Sequence, residues 1–177
     1  SYDERKPGTP FALIIAPTRE LVMQITNDAF DLAKHTDLQI AALVGGIDYD
    51  KQKTQMRGPI DIIVATPGRL LDFARSNVID LSMVEIMIID EADRMLSMGF
   101  IPDVKSIVSR TPKKHQRQTQ LFSATYSDDI KRLAASWTLD PVHIEIEPEK
   151  IAVDSVVQKV YLTSEADKYA LLYNIID

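Results

Sequence analysis

The sequence predicts an α/β fold, with a mostly parallel sheet covered by helices on both faces. Short apolar runs alternate with stretches of helical period along most of the chain, the pattern of repeated strand–helix units. Each apolar run is only a few residues long, which suits buried strands and excludes a membrane-spanning helix. Gly, Pro, Thr and acidic residues recur just after those runs, where open parallel sheets bind their ligands.

The elements follow in order. Residues 11–16 read as a strand, followed by an amphipathic helix over about 18–34 with Leu21, Ile25 and Leu32 apolar. Residues 39–44 form the next strand, ending at Gly45-Gly46. Residues 61–65 form a third, followed by a helix that starts at Pro67, whose fixed φ suits a first helical position. Residues 83–89 form a fourth, with a helix around 92–98. Residues 120–122 form a fifth, with a helix over about 128–137 capped by Ser127 or Asp128. Residues 143–146 are a short sixth strand.

From 147 to 154 the pattern lapses into a polar, Pro-containing stretch that reads as a linker. Residues 156–162 then alternate as a strand and 165–176 look helical. A lone strand and helix cannot bury their own faces. The expected organisation is a first domain over 1–147, a linker over 148–155, and the start of a second domain or a docked tail over 156–177.

A length of 177 residues, 45% hydrophobic and 26% charged, is that of a globular domain able to bury a real core. No basic-then-apolar signal segment opens the chain. The chain has no cysteine and three scattered His, so a disulfide framework and a thiolate zinc site are excluded. A cytoplasmic location is the simplest inference. The net charge of −6 argues against a strongly basic nucleic-acid module. It leaves open phosphate binding by backbone N–H groups, helix N-termini and a few Arg.

Asp90-Glu91-Ala92-Asp93 directly follows the fourth strand. One carboxylate there can hold a hydrated Mg²⁺ on nucleotide phosphates, and its neighbour can orient or deprotonate water. In isolation the tetrapeptide reads equally as an acidic helix start. Pro17-Thr18-Arg19-Glu20-Leu21 lies between strand and helix. There Thr18 caps, free N–H groups favour a phosphate, and Arg19 adds a forked charge; a plain capped helix is the alternative. Thr66-Pro67-Gly68-Arg69 repeats that chemistry, and Gly45-Gly46 offers a third strand end that reads equally as a plain turn. Three such loops on one sheet edge could follow a sugar-phosphate backbone without reading bases. Ser123-Ala124-Thr125 places two hydroxyls after the fifth strand, within possible reach of Asp93, though hydroxyl residues also cap helices everywhere.

Taken together, Pro-Thr-Arg-Glu-Leu, Gly-Gly, Thr-Pro-Gly-Arg-Leu, Asp-Glu-Ala-Asp-Arg and Ser-Ala-Thr, in this order and spacing, resemble the DEAD-box RNA helicases from about residue 10 onward. Residues 94–100 and 122–130 are most similar to bacterial members, of the type associated with RNA degradation. The resemblance implies an α/β fold of RecA-like, P-loop NTPase type, here an incomplete N-terminal domain carrying motifs Ia to III. It implies ATP and Mg²⁺ as cofactors and local RNA duplex unwinding as the activity. It implies that Asp90 holds Mg²⁺, that Glu91 activates the hydrolytic water, and that Asp93 bonds Ser123 and Thr125 to couple turnover to strand separation. Pro17, Thr18, Arg19, Gly45, Gly46, Thr66, Pro67, Gly68 and Arg69 would line a backbone-directed, single-stranded RNA path. Other proteins of an RNA-processing or RNA-decay assembly are the implied partners, with no role for a membrane.

The family also has an adenine clamp and a Gly-rich P-loop with Lys-Thr upstream of Pro17. The six Gly here, Gly8, Gly45, Gly46, Gly58, Gly68 and Gly99, form no P-loop. Ser1 therefore reads as an internal start, and loss of the P-loop strand from within the sheet is expected to leave two unpaired strand edges. Two rivals stand beside the helicase reading. One is a non-enzymatic RNA- or protein-binding module that kept the fold without ATP binding. The other is a DNA helicase, which Asp93 and the intact Thr66–Arg69 block disfavour.

Overall fold

The structure is a computed structural model that describes residues 6–146 and 159–176. The chain divides into two compact units, 1–141 and 142–177. The first holds a five-stranded parallel sheet in the order β2-β3-β1-β4-β5, with strands β1 (Ala12–Ile15), β2 (Ile40–Leu43), β3 (Ile62–Ala65), β4 (Ile86–Ile89) and β5 (Gln118–Leu121). Helices α1 (Arg19–Ala33), α2 (Tyr49–Gln55), α3 (Pro67–Arg75), α4 (Ala92–Ser97) and α5 (Ile101–Val108) make the crossovers, and α6 (Asp128–Trp137) follows the last strand. Parallel neighbours require such crossovers.

The strands run in one register. Ile15 pairs with both Ala65 and Ile89, Leu43 with Ala65, and Ile89 with Leu121. All five carboxyl ends therefore stop at one level. Main-chain bonds carry the ladder one residue further: Ala16 N–H to Ala65 O (3.0 Å), Thr66 N–H to Leu43 O (3.0 Å), Asp90 N–H to Ile15 O (2.9 Å) and Phe122 N–H to Ile89 O (2.9 Å). Every loop named above begins from that shared, rigid line.

One sheet face is buried over β1 to β4, while Thr119 and Leu121 of β5 on that face are half-buried. Leu13, Ile15, Leu43, Ile63, Met87 and Ile89 pack there with Leu70, Leu71 and Phe73 of α3, Met95 of α4, Val104 and Ile107 of α5, and Ile130 and Trp137 of α6. Each large side chain buried this way contributes about 1.5–3 kcal/mol. The opposite face carries a smaller cluster, with Val22 of α1 packed against Ile40, Val44 and Val64. Ile86 and Ile88 on β4 are only half-buried. Arg117 is buried with neutral acceptors only: Thr111 Oγ1, Pro112 O (2.7 Å), Thr119 Oγ1 (3.0 Å) and Trp137 O (3.5 Å). Burial lowers its pKa, and its fork ties the approach to β5 onto the end of α6.

Several expectations change. The five strands form one continuous sheet, so no gap is left inside it, and its edges are β2 and β5. Residues 143–146 form no strand and are exposed, and alternation alone does not make a strand. Of the alternating segment 156–162, residues 156–158 lie outside the described residues and 159–162 are not a strand. Helix α7 (Lys168–Ile176) starts three residues later than periodicity suggests and buries none of its side chains. Helices α2 and α5 were not anticipated. Helix α2 has no apolar stripe, since Gln52 is its buried residue.

Candidate functional site

Along the carboxyl edge the loops stand in the order Gly45-Gly46, Thr66–Arg69, Pro17–Arg19, Asp90–Asp93, Ser123–Thr125, because that is the order of the strands they leave. The first three make one half of the edge and the last two the other.

In the first half Pro17 is buried and Thr18 caps α1, its Oγ1 accepting from Leu21 N–H (3.3 Å). Capping and a phosphate-facing role are compatible, because a cap satisfies one orphan N–H and leaves others. Arg19 is exposed and makes no hydrogen bond or ion pair among the described residues. Gly46 has φ +74°, a conformation that favours glycine, and a Cβ there would stand 2.9 Å from the flexible end of Arg19 at Nη1. Gly45 is exposed beside it. Thr66 precedes α3 in an extended conformation without capping it, Pro67 is buried at the first helical position, and Gly68 is open to solvent.

Arg69 differs from Arg19. Its Nη1 donates to Ile47 O (3.2 Å) and its guanidinium packs over Tyr49 (5.6 Å) and Phe73 (6.0 Å), two rings 4.6 Å apart. Gln52 also reaches this loop: Oε1 accepts from Val44 N–H (3.1 Å), and Nε2 donates to Val44 O (3.2 Å) and Ile47 O (3.2 Å). Sequence reasoning missed Gln52, because a polar residue in a polar helix carries no periodic signal.

In the second half Asp90 Oδ1 accepts from Glu91 N–H (2.8 Å). Glu91 sits in the left-handed region, φ 48° and ψ 51°, immediately before α4. A non-glycine residue there stores strain, a common property of functional turns. Its carboxylate pairs with Arg94 Nη1 (3.2 Å) at a partly exposed position. Ala92 N–H donates to Phe122 O (3.0 Å), fixing the start of α4 to the end of β5.

Asp93 meets Thr125 twice, its Oδ2 accepting from Thr125 N–H (3.1 Å) and Oγ1–H (3.1 Å), while Oδ1 accepts from Arg94 N–H (3.0 Å). Ser123 spends its hydroxyl hydrogen on Thr125 O (2.7 Å), so its support of Asp93 is secondary to Thr125's. Burial raises the Asp93 carboxyl pKa, but hydrogen bonds from Thr125 and the Arg94 N–H outweigh it and hold it below the usual aspartate range.

The donor set suits a Mg²⁺ held chiefly by phosphates. Asp90 supplies one carboxylate, and no group of three or more His, Cys, Asp or Glu among the described residues could cage a metal alone. No loop of the described edge is a phosphate cradle for a nucleotide: Gly8 packs against Val78 O, and Gly58 and Gly99 stand in turns away from the strand ends. No described helix is long and apolar enough to cross a membrane.

A DEAD/DEAH box helicase family profile matches residues 2–133. The chain is 57% identical over 174 residues to a protein named ATP-dependent RNA helicase RhlB in Pseudomonas aeruginosa, covering 98% of this chain and 44% of that protein. It is 42% identical to a protein of the same name in Xanthomonas axonopodis pv. citri, covering 98% of this chain and 30% of that one. A crystal structure of a hypothetical ATP-dependent RNA helicase from Sulfolobus tokodaii superposes with a TM-score of 0.68 at 42% identity, over 73% of this chain and 38% of that one. The chain thus spans less than half the length of these relatives.

Proposed function

The chain belongs to the DEAD/DEAH box helicase family, and from that premise we propose that it forms part of the first RecA-like domain of an ATP-dependent RNA helicase. The proposed organisation keeps 1–147 as that domain, 148–155 as a linker and 156–177 as the opening of a second one. The observation that carries the reading is the shared register. It sets three loops bearing Gly, Thr and Arg and two loops bearing Asp90, Glu91, Asp93 and Thr125 along one sheet edge.

In this reading Asp90 holds Mg²⁺, which would neutralise charge on the nucleotide phosphates. Glu91 accepts a proton from the attacking water. Asp93 and Thr125 join the acidic turn to β5, so that movement at one reaches the other. The loops at Pro17–Arg19, Gly45-Gly46 and Thr66–Arg69 hold single-stranded RNA by its backbone. The setting is cytoplasmic, beside other proteins of RNA processing or decay. The non-enzymatic module is disfavoured, since relatives matching 98% of this chain carry helicase names.

The test is made on the complete protein, by ATP turnover with and without single-stranded RNA and by displacement of a short RNA duplex. Turnover stimulated by RNA, with displacement requiring ATP, is the expected result. Turnover indifferent to RNA, or stimulated equally by DNA, would contradict it.

A further inference from the structure

We propose that Gln52 is a positioning residue for backbone-phosphate binding: it holds the Gly45-Gly46 loop so that two exposed N–H groups and the Arg19 guanidinium face one anion. This deepens the RNA-path reading and rests on it.

Strand β2 is an edge, so Val44, one residue past its end, has no strand neighbour on its outer side. Gln52, 4% exposed, takes that place and engages both main-chain groups of Val44 through its amide. The orientation of the amide follows from its partners, because only Oε1 can accept from Val44 N–H and only Nε2 can donate to carbonyls. Nε2 also reaches Ile47 O, with a longer shared contact to Asp48 O (3.4 Å). One side chain thus grips the residue before and the residue after the two glycines. From the other side Arg69 donates to the same Ile47 O.

Gly45 and Gly46, held between these anchors, are exposed, and their N–H groups donate to nothing among the described residues. Arg19 approaches Gly46 closely and has no acidic partner among the described residues. Unspent donors beside an unpaired guanidinium suit a phosphodiester. Without Gln52, Val44 N–H and C=O would face the groove of about 250 Å³ between α1 and α2, lined by Met23, Phe30 and Lys51. The loop would then have to shift to solvate them, and the anion would have to pay for its ordering.

In the complete protein, ATP turnover is measured against oligo-uridine concentration for wild type, Gln52→Met, Gln52→Ser and Arg19→Ala, with anisotropy titrations at several salt concentrations. Gln52→Met keeps length and removes every hydrogen bond. Gln52→Ser opens the groove to water and serves if the methionine variant fails to fold. Either should raise the half-saturating RNA concentration about tenfold, as lost preorganisation does. The kcat at saturating RNA should stay within about twofold, and the salt slope should be unchanged because no charge is lost. Arg19→Ala should instead flatten that slope by about one counterion. If Arg19→Ala weakens RNA and the Gln52 variants do not, the inference fails alone. If kcat falls with affinity unaltered, the inference also fails. If neither Arg19 nor Gln52 affects RNA affinity, the RNA-path reading fails with it.

Discussion

The two halves of the sheet edge are built differently. On the β2–β3–β1 side the loops are braced from behind: Gln52 and Arg69 clamp residues 44–47, Thr18 caps α1, and Pro67 starts α3. On the β4–β5 side Asp90 is fixed to Glu91 N–H, Glu91 to the Arg94 guanidinium, and Asp93 to Arg94 N–H and Thr125, but no cradle of N–H groups stands beside them among the described residues. Strand β5 is an edge strand of mainly polar, half-exposed residues, and Phe122 beyond it is 53% exposed. On the proposed reading, the braced half suits a sugar-phosphate backbone, while the acidic half would act on a phosphate held by something else.

The largest expected effect lies on the acidic side. In the complete protein Glu91→Gln should lower ATP turnover by about 10²-fold or more while RNA binding persists, since the amide keeps the shape but cannot take a proton. Turnover above about a tenth of wild type would remove Glu91 as the base. Changing Ser123 and Thr125 together to Ala should reduce duplex displacement about tenfold, the scale of a hydrogen bond to a charged group, with turnover largely retained. Thr125 should account for most of this, because it holds Asp93 directly while Ser123 bonds to Thr125 O. A parallel loss of both activities would indicate a folding defect instead.

On the braced side the two arginines should separate. Arg19→Ala should weaken RNA binding several-fold for unrelated sequences and flatten the salt dependence by about one counterion. Arg69→Ala should weaken it through the loosened loop, with a smaller change in slope, because its guanidinium already serves Ile47 O and two rings. Equal slopes would show that both contact phosphate.

The smallest effect concerns pH. The Asp93 carboxyl is held below its usual range, so the ionised, Thr125-bonded form favours the native state above that range. This contribution is lost as pH falls through the lowered value. Thr125→Val should move the Asp93 titration, followed by NMR, upward toward the ordinary aspartate range. An unmoved titration would show that the hydroxyl is not what holds it down.

Four of the strands, the parallel architecture and the five edge loops were legible because buried strands leave apolar runs and their exits leave Gly, Pro, Thr and acidic residues; β5, expected at 120–122, runs over Gln118–Leu121, where polar edge residues leave no such run. The start of α1 at Arg19 and the span of α6 followed from Thr18 and Ser127 as caps. What supports the loops was not legible. Gln52 lies seven residues after Gly45 in a polar helix, and Arg69 looks like any surface cation until Tyr49 and Phe73 are brought beneath it. Arg117 is buried against neutral acceptors that only the fold brings together. The strand expected at 143–146 failed for the same reason in reverse, since alternation says nothing about whether a partner strand exists.

The contrast between the two halves is tested most directly by calorimetric titration of this 177-residue chain with Mg-ATP. On the proposed reading, Asp90 and Glu91 would act on a phosphate chain held by a run of backbone N–H groups and a Lys, and none of the six glycines builds such a run. Mg²⁺ adds little through one or two carboxylates without bound phosphates. The account predicts no saturable heat up to about 1 mM nucleotide, corresponding to binding weaker than about −4 kcal/mol. A dissociation constant of about 1 μM, near −8 kcal/mol, would show that the acidic half is already a complete nucleotide site and would contradict the division drawn between the two halves.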